Sequence, residues 1–467
     1  MRPAPPPPCR HRADLDRLKL QRLGALLGAI LPANAFYAAK LGASPRLPVS
    51  FDDLAEWPFT TKDELVAGAV ATGLPANLTF DRTAYVRYHQ TSGTHGCPLP
   101  VLDTAADWEW WMDCWRLVLD QGAVGPGDRV LVASSFGPYL GFWSAFDGVI
   151  SRGAMAIPCG GMSSVARLDL VRSTAATVLV ATPSYALHLA QVAEQAGIDI
   201  RALPIRLVLV AGEPGGSVPG VRAALASAWD AAVLDHAGAS EVGPWGVGGG
   251  LRGDGGAPRG VGGAAAVRHA MPGAPRSDAA AADESPWLEV IEEWFHPEFL
   301  PLDAPGGSDS TGLAELVLTT LGRVGAPVIR YRTGDVVRPG WPTAAEVAAG
   351  ATPRVRLSGG ILGRTDDMLV VRGVNIFPSA VDGIVRSFPE VVEYRLTVDS
   401  RERLDHLAVE IEDQLHAPAR VADELRLRLG LRIDVSEVPL GSLPRFEGKG
   451  RRVVDRRPRD RHRPHAP

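Results

Sequence analysis

Between Tyr88 and Pro98 the chain reads Tyr-His-Gln-Thr-Ser-Gly-Thr-His-Gly-Cys-Pro, directly after the strand-like run Ala84-Tyr-Val-Arg-Tyr88. Glycines between small hydroxyl residues let backbone N–H groups come close to an anion. Ser and Thr add short donors, so the segment can wrap phosphate oxygens. It is not a Walker loop, because GxxxxGK[ST] is absent. A turn of this composition is more often only a turn, and the weight comes from its company. Ala211-Gly-Glu-Pro214 closes one apolar run and Asp235-His-Ala-Gly-Ala-Ser-Glu241 the next. A carboxylate on a loop beside a phosphate cradle suits a hard Mg2+ ion. Arg330-Tyr-Arg-Thr-Gly-Asp335 and Gly363-Arg-Thr-Asp-Asp-Met-Leu369 follow, the latter leading into Val371-Arg-Gly-Val-Asn-Ile-Phe-Pro378. Near the end lies Glu447-Gly-Lys-Gly-Arg451. Short polar motifs in this order are far more specific than any one of them.

The elements that must position these motifs follow from apolar periodicity. Over residues 129–236 the β-branched runs RVLVAS, TVLVAT, IRLVLVAG and AAVLDHAG alternate with amphipathic stretches. One such stretch runs from Pro183 to Gly197, with Ser184 expected to cap its start and Gly197 placed to end it. Strand–helix alternation predicts an α/β unit whose parallel sheet is covered by helices on both faces. Ligands gather at the carboxyl ends of such strands, which puts Gly212, Glu213 and the stretch Ala237 to Glu241 near a site. Residues 248–286 are rich in Gly, Ala and Pro and lack periodicity, so they read as a flexible surface insertion. After Arg364 the rhythm changes. A helix opening near Ser379, the runs EYRLTVD and HLAVEIED, a helix from about Ala419 to Leu429 and the run RIDVSEV predict a small α+β unit.

The 467 residues leave room for two unequal domains. We expect a disordered Pro-rich leader over 1–15, a large domain over 16–362 and a small C-terminal domain over 363–467 with a basic tail. A net charge of -5 gives no electrostatic footprint for nucleic acid or an anionic membrane. No apolar run is long enough to span a bilayer and no secretory h-region opens the chain, so it reads as cytoplasmic. Cys9, Cys97, Cys114 and Cys159 are scattered without a CxxC pair, which supports neither a disulfide framework nor a Cys-based zinc site. Cys114 and Cys159 read as inert buried thiols. Trp108, Trp110, Trp111 and Trp115, at near-helical spacing, read as core. His296 with Glu298 is a lone pair on a loop, not a metal site.

From about Leu18 to about Arg452 the sequence resembles the phenylacetate–coenzyme A ligase branch of the adenylate-forming superfamily, which also holds acyl-CoA synthetases and adenylation domains. The likeness rests on FDDLAEWPFTTKDEL, ATPSYALHLA, RYRTGD and GRTDDMLVVRGVNIFPS together with the motifs above. It implies an ATP-dependent ligase that converts a carboxylic acid to its acyl-AMP and then to a thioester of coenzyme A. Thr91, Ser92, Gly93, Thr94 and Gly96 would hold the ATP phosphates, with His95 as a binding neighbour. The segments Gly212-Glu213-Pro214 and Asp235, with Ala239 and Ser240, would border the nucleotide. Glu241 would bind Mg2+, Asp335 both ribose hydroxyls, and Arg364 the nucleotide. Asp366 would be the hinge of a small, mobile domain. Lys449 on that domain would bridge the substrate carboxylate and the α-phosphate, neutralising charge where two anions meet. Phe136, Tyr139, Trp143, His236, Ala237 and Gly238 would line the acid pocket, a concave aromatic-walled site for an aryl or arylacetic acid.

The chain departs from the branch at three places. Cys97 stands where the phosphate loop usually carries lysine, and Ala237 where an aromatic often stacks on adenine. Some relatives bind zinc through Cys and His after Glu241, whereas no cysteine here lies beyond Cys159, so no zinc is expected. Two other readings stay open on sequence alone. One is an adenylating enzyme that hands its acyl group to a carrier-protein thiol or an amine. The other is a non-catalytic nucleotide-binding homologue, for which Cys97 and Ala237 speak and Glu241, Asp335, Arg364 and Lys449 speak against. Nucleic acid and membrane are not expected partners; a carrier protein and a homodimer stay open.

Overall fold

The computed structural model describes residues 9–42, 45–91, 98–134, 136–249, 286–302, 312–365, 369–371, 374–401, 404–429, 431–445 and 452–456. Ser92 to Cys97, Asp366 and Lys449 lie outside them, as does most of the expected insertion. The central sheet has nine strands. Met155–Pro158, Arg129–Val132, Val178–Ala181, Leu207–Ala211 and Ala232–Ala239 lie side by side and parallel. The sheet is not parallel throughout. Gly243–Gly248 returns antiparallel to Ala232–Ala239, and Trp287–Val290 and Arg356–Ser358 continue antiparallel beyond it. Pro244 with Gly243, Gly246 and Gly248 leaves no room for a crossover helix, so the chain turns straight back. Gly248, the first residue of the expected insertion, ends a strand.

The expected amphipathic stretch is the helix Pro183–Gln195, followed by Gly197 at φ +67. Its cap is Thr182 rather than Ser184: the Thr182 hydroxyl accepts from the Tyr185 N–H. Proline at the first helical position moves the cap two residues upstream of the expectation, and the Ser184 N–H goes instead to Glu213 Oε1 at 2.7 Å. The leader also ends earlier than expected. A helix opens at Arg12, where Leu15 is buried and the Arg12 guanidinium reaches Glu292 at 2.6 Å. Helix Ala105–Gln121 carries the tryptophan stripe inward, and Trp108, Trp110, Trp111 and Trp115 all belong to the main core cluster. Each buries on the order of 150–250 Å2.

Residues 295–364 add a second antiparallel sheet, Phe295–Pro301, Ala314–Thr320, Tyr331–Val337 and Gly363–Arg364 in that order. Gly363 and Arg364, assigned to the small domain from sequence, therefore form an edge of the large one, paired with Val336 and Asp335. The small α+β domain is a four-stranded sheet in the order Asp434–Glu437, Leu404–Asp413, Val391–Arg401, Val453–Asp455. Helices Pro378–Val385 and Pro418–Leu429 cover it around a separate core that includes Leu396, Val409 and Val421. Among the described residues no single helix is long and apolar enough to cross a membrane.

Candidate active site

The carboxyl ends of two neighbouring parallel strands form the floor of the site. Leu207–Ala211 leads into Gly212 at φ +93, a conformation that suits glycine and lets the chain turn off the sheet at once. Glu213 then reaches sideways to the start of the neighbouring helix, as described. Ala232–Ala239 brings Asp235 and His236 up from the core. Gly216 packs on Asp235 so closely that a Cβ there would fall 2.6 Å from its Cγ. Burial pushes the Asp235 carboxyl up to about 6, against the stabilising hydroxyl of Ser217 and the N–H of His236.

His236 lies against Trp115, ring centroids 4.5 Å apart, and its Nδ1 is 2.7 Å from the Gly246 carbonyl. A carbonyl only accepts, so Nδ1 carries the proton and Nε2 keeps its lone pair. Burial lowers the ring's pKa to about 4, so it is neutral at physiological pH. A Cβ on Gly238 would lie 3.5 Å from that Nε2 and 3.1 Å from the Gly243 carbonyl, so a side chain there would crowd the Gly243 carbonyl.

Glu241 sits on the turn that follows. Its Oε1 accepts from the Tyr331 hydroxyl at 2.8 Å, and Lys62 Nζ stands 3.6 Å away. Both are residues that sequence reasoning passed over. Thr61 and Glu64 form a capping box, which makes Lys62 the first helical residue. A cation there opposes the helix dipole, and that misplacement was the readable signal of a second task. Tyr331 is nearly fully buried, which together with Glu241 holds its hydroxyl proton firmly in place. Across the strand pair Asp335 faces Arg364, Oδ1 to Nη1 3.3 Å, beside Gly334 at φ +74.

Gly212, Glu213, Pro214, Asp235, His236, Ala237, Gly238, Ala239, Asp335 and Arg364 all open onto one cleft of about 300 Å3. Arg386, Tyr394 and Arg452 close it from the small domain. Ser240 and Glu241 lie on the adjoining turn, and Thr91 ends the hairpin strand with its N–H bonded to the Leu99 carbonyl. Three expected pocket residues do not line the cleft. Phe136, at φ +50, packs edge-on against Trp143 and Phe146, and the Trp143 indole donates to the Gly137 carbonyl at 2.9 Å. Tyr139 is 48% exposed. Phe136 and Trp143 pack onto each other, with Phe136 against the core cluster that holds Ala237. His296 is buried and stacked on Phe51 with ring centroids 3.9 Å apart, and Glu298 pairs with Arg330. Cys114 and Cys159 are buried, with their thiols raised by desolvation.

Two domains meeting over a cleft with this order of strand-end motifs define an adenylate-forming enzyme. Residues 373–457 match the family described as AMP-binding enzyme C-terminal domain. The phenylacetate-coenzyme A ligase of Escherichia coli (strain K12) is 30% identical over 95% of this chain and 95% of its own length. The chain belongs to the phenylacetate–coenzyme A ligase branch of the adenylate-forming superfamily. Its fold matches that of 2-hydroxyisobutyryl-CoA ligase in the postadenylation state with R3-HIB-AMP, at a TM-score of 0.79 and 24% identity over 97% and 94% of the two chains. The same ligase with 2-HIB-AMP and CoA in the thioesterification state matches at 0.63 and 25% identity, again over 97% and 94%.

Proposed function

We propose that this enzyme activates a carboxylic acid, of aryl or arylacetic type, with Mg·ATP and transfers it to coenzyme A. The observation that carries the proposal is the convergence of Glu213, Asp235, Asp335 and Arg364 on one interdomain cleft beside Glu241. In the first step a carboxylate oxygen attacks the α-phosphorus of ATP, forming the acyl–phosphate bond as the bond to pyrophosphate breaks. In the second the thiol sulfur attacks the acyl carbon, AMP leaves with the bonding pair, and the thiol proton is released.

The roles follow from the groups. Asp335 accepts from both ribose hydroxyls, a task its two oxygens suit. Arg364 then lies beside the nucleotide and balances that carboxylate. Thr91, Ser92, Gly93, Thr94 and Gly96, with His95, cradle phosphate, and Lys449 neutralises the reacting oxygens. Glu241 is suited to Mg2+ because that ion takes one or two protein carboxylates and completes its shell with phosphate oxygens and water. Bound there, Mg2+ would neutralise phosphate charge. The Tyr331 hydroxyl fixes one oxygen of that carboxylate and Lys62 adds a nearby cation. Cys97 supplies almost no charge to phosphate, and Ala237, whose Cβ would lie 3.0 Å from a Cβ placed on Gly246, offers no ring to adenine.

The test is product analysis with a panel of aromatic and aliphatic acids. With coenzyme A present, acyl-CoA and AMP should form in equal amounts with an aryl or arylacetic acid as the best substrate. Thioester on a carrier protein and none on free coenzyme A would replace this acceptor assignment.

A further inference from the structure

We infer that Arg323 is a positioning residue whose buried guanidinium fixes the Ser240–Glu241 main chain against the hairpin that flanks the glycine-rich segment. The inference rests on the reading of Glu241 given above. The Arg323 side chain is 1% exposed and its partner Asp103 is fully buried; they meet at 2.7 Å. Nε donates to Asp103 Oδ1 at 2.9 Å, and the Trp111 indole donates to the same oxygen at 3.1 Å. Nη1 points the other way, to the Glu241 carbonyl at 2.9 Å and the Ser240 carbonyl at 3.4 Å.

One rigid fork therefore joins two parts of the site that are far apart in sequence. Asp103 lies on Pro100–Thr104, which pairs antiparallel with Tyr85–Gln90, and residues 91–99, including the whole glycine-rich segment, connect these two strands. Ser240 and Glu241 are the turn after the strand Ala232–Ala239. The loop that carries Arg323 is itself held. Asp107 Oδ1 accepts from the Val324 N–H at 2.8 Å and the Gly325 N–H at 2.9 Å. A Cβ on Gly322 would fall 2.3 Å from Trp110, and one on Gly325 2.2 Å from Asp107, so the loop approaches the helix as only glycine allows. For stability alone a buried ion pair is a poor device, since apolar residues of similar volume usually serve as well. What arginine adds is five donors in a fixed plane, able to serve a carboxylate and two carbonyls at once.

The experiment uses three full-length variants: Arg323→Lys, the paired Arg323→Met/Asp103→Leu, and Glu241→Gln. Thermal unfolding reports folding. Mn2+ binding by electron paramagnetic resonance with α,β-methylene-ATP, and nucleotide affinity by calorimetry, report the site without turnover. The paired variant removes both charges of the buried pair together and should unfold within a few degrees of wild type. It should nonetheless bind nucleotide and Mn2+ about tenfold more weakly, the loss expected when hydrogen bonds that place the turn are removed. Arg323→Lys keeps the charge without the fork and should fall between. A paired variant that folds and binds both like wild type would overturn the inference and make the ion pair purely structural. Wild-type Mn2+ affinity in Glu241→Gln would instead overturn the metal reading of Glu241. The Arg323 inference would then be judged on nucleotide affinity, where an unchanged paired variant still sinks it.

Discussion

Lys449→Ala is expected to slow acyl-AMP formation by about 10²–10³-fold, the usual cost of removing one preorganised donor from a developing charge. The same variant, supplied with synthetic acyl-AMP and coenzyme A, should form thioester within about threefold of wild type, because the second step has no attacking carboxylate to neutralise. The asymmetry follows from where the residue sits. Lys449 falls within residues 373–457, which match the AMP-binding enzyme C-terminal domain, and Arg386, Tyr394 and Arg452 of the same stretch line the cleft. We propose that this domain turns about a hinge at Asp366, which would present different faces to the two steps. Single-turnover measurements of each half-reaction check this. Equal loss in both would show that Lys449 does not alternate, and with it that one domain arrangement serves both steps.

Asp335→Ala should raise the KM for ATP by about 10²-fold or more. Two hydrogen bonds to a charged group contribute roughly 1.5–3 kcal/mol each, and tenfold in affinity corresponds to about 1.4 kcal/mol. The fold should survive, because the pair with Arg364 is partly open to solvent, 35% on the arginine side, and such pairs add little stability. Asp335→Asn keeps the shape and one acceptor oxygen, so it should fall between. Calorimetric titration with ATP and with 2′,3′-dideoxy-ATP separates the cause: wild type should lose most of its affinity for the dideoxy analogue, and Asp335→Ala should barely distinguish the two. An alanine variant that still discriminates between them would remove the ribose role from Asp335.

Which motifs matter was legible in the residues, because backbone freedom and charge are local properties. Gly212 at the end of one strand and the Asp235 to Glu241 run at the end of the next could be placed from strand–helix alternation alone. How partners meet across the sheet was not. Asp335 opposite Arg364 depends on an antiparallel register between segments separated by two short strands and a short helix. Arg323 gave no local sign, since its partners Asp103 and Glu241 lie 220 and 82 residues away in the chain. The helix start at Thr182 and the packing of Phe136 onto Trp143 were not legible for a related reason. Each is decided by a single backbone conformation, a proline at the first helical position in one case and φ +50 in the other. Lys62 was the legible exception that went unread, a lysine at the first position of a helix whose dipole disfavours it.

The central claim is adenylate chemistry at the interdomain cleft, and isotope exchange tests it without a thiol acceptor. Labelled pyrophosphate should enter ATP only when enzyme, Mg2+ and a suitable acid are all present, and the exchange should fall to background in Lys449→Ala. Acid-dependent formation of ADP and phosphate, with no label in ATP, would contradict the account.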